Sequence, residues 1–128
     1  MKNTILIIED SPMYQDILKS IVGSLGFATH VCDDGSQGIQ YMGEHEAGVA
    51  LLLLDIYIPK IDGISVLGHL RIKYPQLPIV VVSGSDDNDD ERVVRDLGAL
   101  DFIRKPFQAE TIHATLKRVL GNASGHAG

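Results

Sequence analysis

Four of five short apolar runs in this 128-residue chain are followed by a group that can do chemistry. Thr4–Ile8 runs into Glu9-Asp10, Ala50–Leu54 into Asp55, Pro78–Val82 into Ser83-Gly84, and Ala99–Ile103 leads to Lys105-Pro106. Three carboxylates brought together repel one another, so one of them tends to keep its proton. A divalent cation removes that conflict. Hard oxygen donors with no adjacent histidine or cysteine favour Mg²⁺, which takes one or two carboxylates, waters and a phosphate oxygen. A carboxylate beside that ion can attack phosphorus and form an aspartyl phosphate. The transferred group spreads charge over its equatorial oxygens, and a lysine and a hydroxyl are suitable donors to them. Gly84 is expected to let the backbone approach without a Cβ.

Five runs and five helical stretches alternate. Phe27–Val31 is the remaining run, and the acids after it, Asp33-Asp34-Gly35, read as a turn and helix cap. Ser11-Pro12 reads as an N-cap with proline at the first helical position. Met13, Ile17, Leu18, Ile21, Val22 and Leu25 then keep a 3.6-residue period, closed by Gly26. Gly35–Glu46 is a weaker helix diluted by Gly38 and Gly43; Ile64–Leu70, Val93–Leu97 and Ile112–Leu120 mark three more. A β-α unit repeated five times predicts a parallel sheet with helices on both faces. Ligands of such sheets bind outside the carboxyl ends of the strands, which is where the chemical groups fall. The three nearly pure aliphatic runs suit interior strands, and the mixed fifth suits an edge. Residues 1–120 are expected to form one domain and 121–128 (GNASGHAG) a frayed tail or linker start.

Composition narrows the partners. Seventeen acids against eleven bases leave a net charge of −6, a poor match for nucleic-acid backbones or anionic membranes. Three acids and one base at the strand ends hold −2 of this. Asp86, Asp87, Asp89, Asp90 and Glu91 hold −5, and the rest is nearly balanced. That acidic loop suits the start of a helix or a partner-specific patch. The first apolar run is too short for a signal peptide and Val49–Leu54 is far short of a membrane span. With a single cysteine, Cys32, a cytoplasmic location is expected. The five histidines (His30, His45, His69, His113, His126) show no metal-ligand spacing. Met13, Tyr14, Tyr41, Met42 and Tyr74 read as packing.

The segments LIIEDSP (Leu6–Pro12), LLLDIYIPKIDG (Leu52–Gly63), PIVVVSGS (Pro78–Ser85) and GALDFIRKPF (Gly98–Phe107) resemble the receiver domain of bacterial two-component response regulators, over Ile5 to about Leu120. Asp55 followed by Pro59 and Gly63 is that family's spacing, and Lys105-Pro106-Phe107 its lysine signature. The resemblance implies a flavodoxin-like doubly wound (βα)5 fold with strand order 2-1-3-4-5 and a cis Lys105–Pro106 bond. It implies Asp55 as phosphoacceptor, with Mg²⁺ held by Asp10 and Asp55 directly, by Glu9 through water and by the Tyr57 carbonyl. Ser83 and Lys105 then hold the phosphoryl group, and Phe102 is the aromatic switch that packs inward near Ser83. Its partners are a histidine kinase or histidine phosphotransfer protein, an output partner or domain read through helix 4, strand 5 and helix 5, and a phosphorylation-dependent dimer. Such a domain catalyses only its own phosphorylation and dephosphorylation. Glu9, Ser83 and Phe102 stand where Asp, Thr and Tyr are more frequent. Tyr57, bulky beside the phosphoryl site, is expected to hinder the hydrolytic water. Two other readings use the same residues. A haloacid-dehalogenase-type phosphohydrolase looks for a second Asp two positions after Asp55, where Tyr57 stands. A phosphate-independent receiver-like module typically lacks one of the acceptor, acidic pair or lysine, all present here.

Overall fold

Three aliphatic runs become the three interior strands of one parallel sheet. A computed structural model describes residues 2–58 and 62–124. The elements run β1 (Thr4–Ile8), α1 (Pro12–Ser24), β2 (Ala28–Cys32), α2 (Gly35–His45), a 3-10 turn (Glu46–Gly48), β3 (Val49–Leu54), α3 (Gly63–Lys73), β4 (Ile79–Ser83), α4 (Asn88–Asp96), β5 (Asp101–Arg104) and α5 (Ala109–Ser124). The strand order is β2-β1-β3-β4-β5, so the flavodoxin-like (βα)5 expectation holds. β2 and β5, the two runs with most polar residues, are the edges. β1, β3 and β4 are buried on both faces, as an interior parallel strand must be.

Strand alternation builds two cores. Leu6, Ile8, Leu52, Leu54 and Val81 pack with Met42, Leu67 and Val94 from α2, α3 and α4. Ile5, Ile7, Leu51, Leu53 and Val82 pack with Leu18, Val22, Ile112 and Leu116 from α1 and α5.

Local chemistry starts the helices. Ser11 Oγ accepts from the Tyr14 N–H at 3.4 Å, with Pro12 opening α1. Asp34, Asp62 and Asp87 cap α2, α3 and α4; the two hydrogen bonds from Ser65 hold the Asp62 carboxyl below its usual range. Gly26 closes α1 at φ +90°. Gly63 is fixed by space, because a Cβ there would strike the Ile56 backbone and lie 2.7 Å from the Asp55 carbonyl. Arg71 pins the far end of the α3 side. Its Nη1 donates to the Pro75 carbonyl at 2.9 Å and its Nη2 to the Gly98 carbonyl at 3.2 Å, joining the turns after α3 and α4.

Several boundaries and packing expectations shift. β4 ends on Ser83, which belongs to the strand rather than following it. α5 continues to Ser124, so the first residues of the expected tail are helical. Met13 and Ile17 are exposed, and Leu18, Ile21 and Val22 alone carry the buried face of α1. The spacing of Asp55 to Pro59 falls outside the described residues, as does His126. No helix among the described residues is long and apolar enough to cross a membrane.

Candidate functional site

Register places the site. Ile8 pairs with Leu54 across β1 and β3, so Glu9 and Asp55 emerge side by side at the carboxyl edge. The Asp55 N–H donates to the Ile8 carbonyl at 2.9 Å and the Glu9 N–H to the Cys32 carbonyl at 3.0 Å, which fixes both stems. β1 and β3 flank the point where the strand order reverses, the usual ligand crevice of an open α/β sheet. Lys105 follows β5, with its N–H held by the Ser83 carbonyl at 2.9 Å. The Lys105–Pro106 bond is cis, as expected.

Carboxylate oxygens of Glu9, Asp10 and Asp55 lie within 4.8 Å of one another. Glu9 is 1% exposed and Asp55 5%, whereas Asp10 is open to solvent. Lys105 Nζ bridges the two buried acids, donating to Glu9 Oε1 at 2.6 Å and Asp55 Oδ2 at 3.0 Å. The Ser11 N–H holds the other Glu9 oxygen at 3.0 Å. Burial pushes the Glu9 carboxyl above its ordinary value, more than the Lys105 and Ser11 hydrogen bonds pull it down. Burial alone would lower Lys105, but its hydrogen bonds to Glu9 and Asp55 hold it above its ordinary value. The remaining Asp55 oxygen, Oδ1, accepts from the Tyr57 N–H at 2.9 Å.

This arrangement fits a hard divalent cation: every donor is a carboxylate oxygen, and the ammonium of Lys105 already sits between two of them as a cationic stand-in. The other expected residues stand a step away. Ser83 is fully buried and its Oγ accepts from the Ser85 N–H at 3.2 Å. Tyr57 touches Asp55 through its amide, while the residue is 59% exposed and its hydroxyl donates to Asp90. Phe102 is buried at 7%, under the Arg104 guanidinium 5.0 Å from its ring. A Cβ at Gly84 would meet no other protein atom within 4 Å.

Three contributors escaped the sequence reading. Gln15 Nε2 donates to the Glu9 carbonyl at 2.6 Å and to Asp33 Oδ1 at 2.7 Å, tying α1 to the loops after β1 and β2. The Tyr14 ring lies 4.2 Å from Lys105 Nζ and packs on Phe107, so it is more than core packing. Asp90, counted only as one acid in a charged loop, accepts from both Tyr57 and Ser85. No motif marks these; only the helical offset of Gln15 and Tyr14 from the acidic pair hinted at them.

The family model of the response regulator receiver domain matches residues 5–117, and the chain belongs to that family. It is similar to a probable C4-dicarboxylate response regulator, DctR, of Bacillus subtilis (strain 168), at 32% identity over 89% of this chain and 50% of that protein. It also resembles the cell cycle transcriptional regulator CtrA of Caulobacter vibrioides, at 31% identity over 96% of this chain and 52% of that protein. Among solved structures, the BeF3-activated receiver domain of Klebsiella pneumoniae RstA superposes with a TM-score of 0.85 at 26% identity, covering 92% of this chain and 98% of that one. The chain spans about half the length of the curated relatives it matches.

Proposed function

We propose that this receiver domain is a phosphorylation switch that accepts a phosphoryl group on Asp55 from a histidine kinase or histidine phosphotransfer protein. The observation that carries this reading is the convergence of Asp55, Glu9, Asp10 and Lys105 at one strand edge. In the transfer, an Asp55 carboxylate oxygen bonds to phosphorus as the phosphorus–nitrogen bond to the donor imidazole breaks. The electron pair of that bond returns to the imidazole. Asp10, Asp55, Glu9 and the Tyr57 carbonyl would hold Mg²⁺, which neutralises charge on the phosphoryl oxygens when bound. Lys105 then moves from Glu9 toward the phosphoryl group, and Ser83 turns its hydroxyl to the same oxygens. Water later attacks phosphorus and Asp55 leaves; the Tyr57 ring narrows that path. Equal dephosphorylation rates in wild type and Tyr57→Asn would remove this role of the ring.

The exposed Met13 and Ile17 on α1 give a donor protein an apolar foothold beside the site. The readout surface is α4, β5 and α5, where Asp101 binds Arg95 at 3.1 Å and Arg118 at 2.7 Å, and an output domain, an output protein or a second copy would dock there. The cytoplasm is the compartment where such donors and outputs meet. Beryllofluoride tests the reading. Mg²⁺-dependent uptake that Asp55→Ala abolishes is expected. No uptake points to a phosphate-independent interaction module, and rapid turnover of a small phosphoester to a phosphohydrolase.

A further inference from the structure

The groups that touch Asp55 and Ser83 lead outward to a single residue on α4. Tyr57 uses its backbone N–H to hold Asp55 Oδ1 at 2.9 Å, and its hydroxyl to reach Asp90 Oδ2. Ser85 uses its N–H to hold Ser83 Oγ at 3.2 Å, and its hydroxyl to reach the same Asp90 oxygen at 2.6 Å. The Ser85 hydroxyl also accepts from the Asp87 N–H at 3.1 Å, so the loop entering α4 is closed on itself. Thus the loop after β3, carrying the nucleophile, and the loop after β4, whose Ser85 amide holds the phosphoryl-binding hydroxyl of Ser83 at the strand end, share one acceptor in the first turn of α4. The hydrogen bonds from Ser85 and Tyr57 keep the Asp90 carboxyl below its ordinary range.

We propose that Asp90 is a positioning residue for phosphoryl acceptance: through the hydroxyls of Tyr57 and Ser85 it sets the orientation of the Asp55 carboxylate and the Ser83 hydroxyl, and couples both to the start of α4. This deepens the phosphoacceptor reading and rests on it. A shared acceptor makes the coupling reciprocal, because any change at the site that moves either loop is felt at α4, and the converse. Two hydrogen bonds to one charged oxygen also act as a unit, so their removals should not add.

The test uses beryllofluoride binding in Mg²⁺, measured by calorimetry, together with solvent exchange of the Tyr57 amide in the metal-free protein, measured by NMR. Asp90→Ala should weaken beryllofluoride binding about five- to tenfold, the size of one lost hydrogen bond, and speed exchange at the Tyr57 amide. Tyr57→Phe should do the same to a smaller degree, and the double variant should be no worse than Asp90→Ala alone. Asp90→Asn retains an acceptor oxygen and should recover most of the affinity. Urea midpoints of all variants should stay close to wild type, which separates positioning from unfolding. Unchanged affinity and exchange in Asp90→Ala, multiplicative losses in the double variant, or an Asp90→Asn loss as large as that of Asp90→Ala would overturn the proposal. Failure of the wild-type protein to take up beryllofluoride sinks the phosphoacceptor reading instead; amide exchange still decides whether Asp90 holds the loop.

Discussion

Lys105→Met should destabilise the metal-free protein and yet strengthen its hold on Mg²⁺. In the structure the ammonium lies 2.6 Å from Glu9 and 3.0 Å from Asp55. At an effective dielectric of about 20 these attractions amount to about 6 and 5.5 kcal/mol. Taking the ammonium out of water offsets several kcal/mol of that. The net loss, with two buried acids left unpaired, is about 3–5 kcal/mol, the usual cost of removing one partner of a buried pair. The loss depends on pH, with a definite sign. Burial already holds the native Glu9 pKa above its ordinary value of 4.5. A raised native value means that stability from this group is fully present below about 4.5 and fades as pH rises through the native pKa. Removing Lys105 takes away one of the groups pulling Glu9 down, so the native value climbs further. The gap between variant and wild type therefore widens from acid toward neutral pH. Added Mg²⁺ stabilises in proportion to RT ln(1 + [Mg²⁺]/Kd), and the variant should gain more because no ammonium competes for Glu9 and Asp55. Beryllofluoride binding should fall, since the phosphoryl group loses its lysine. Urea titrations followed by circular dichroism, in chelator and in Mg²⁺ at pH 5 and 8, measure all of this. Equal stability of variant and wild type in chelator at pH 8, or equal gains from Mg²⁺, would refute the counter-ion argument.

Gly63→Ala should cost about 2–3 kcal/mol in urea unfolding, because its Cβ meets the backbone of Ile56 and Asp55 rather than a yielding side chain. Leu67→Ala, at a site fully buried among α3 and the sheet, should cost about 2–5 kcal/mol, while Arg118→Ala should cost under about 1 kcal/mol despite its 2.7 Å bond to Asp101. Burial, helped by Asp34 and Asp33, pushes the Cys32 thiol up to about 11, so Ellman's reagent should leave the native protein unmodified and react once it is unfolded.

The fold was legible where one residue type serves one purpose. TILII, ALLLL and PIVVV are aliphatic on both faces after their first residues, the pattern of an interior parallel strand. Ser11-Pro12 announced α1 by cap chemistry, and Asp34 did the same for α2. The acids and the lysine were legible because they follow strands, and strand ends converge by topology. What the chain order hid is side-chain reach. Lys105 and Glu9 are 96 residues apart, and nothing local shows that the ammonium crosses to both acids. Met13 and Ile17 kept the helical period but fall on the wet side of the stripe, because α1 meets the sheet along Leu18, Ile21 and Val22. Phe102 lies on the α4 side of the core with Arg104 over its ring, a covering contact that no local motif marks. Asp90 was indistinguishable from its acidic neighbours until the hydroxyls aimed at it were seen.

Arg71 gives α4 the mechanics of a lever. Beyond its last residue the helix is clamped at Gly98 by the guanidinium, which also grips the turn after α3. The whole helix is nine residues, about 13 Å at 1.5 Å per residue, with the first turn at the end away from that fulcrum. With that end held, a pull on the loop after β4 would rotate α4 about Gly98 and would displace Asp89, Asp90 and Glu91 most. A partner that senses the state of the site by touching α4 would gain most by gripping the acidic end, where the stroke is longest.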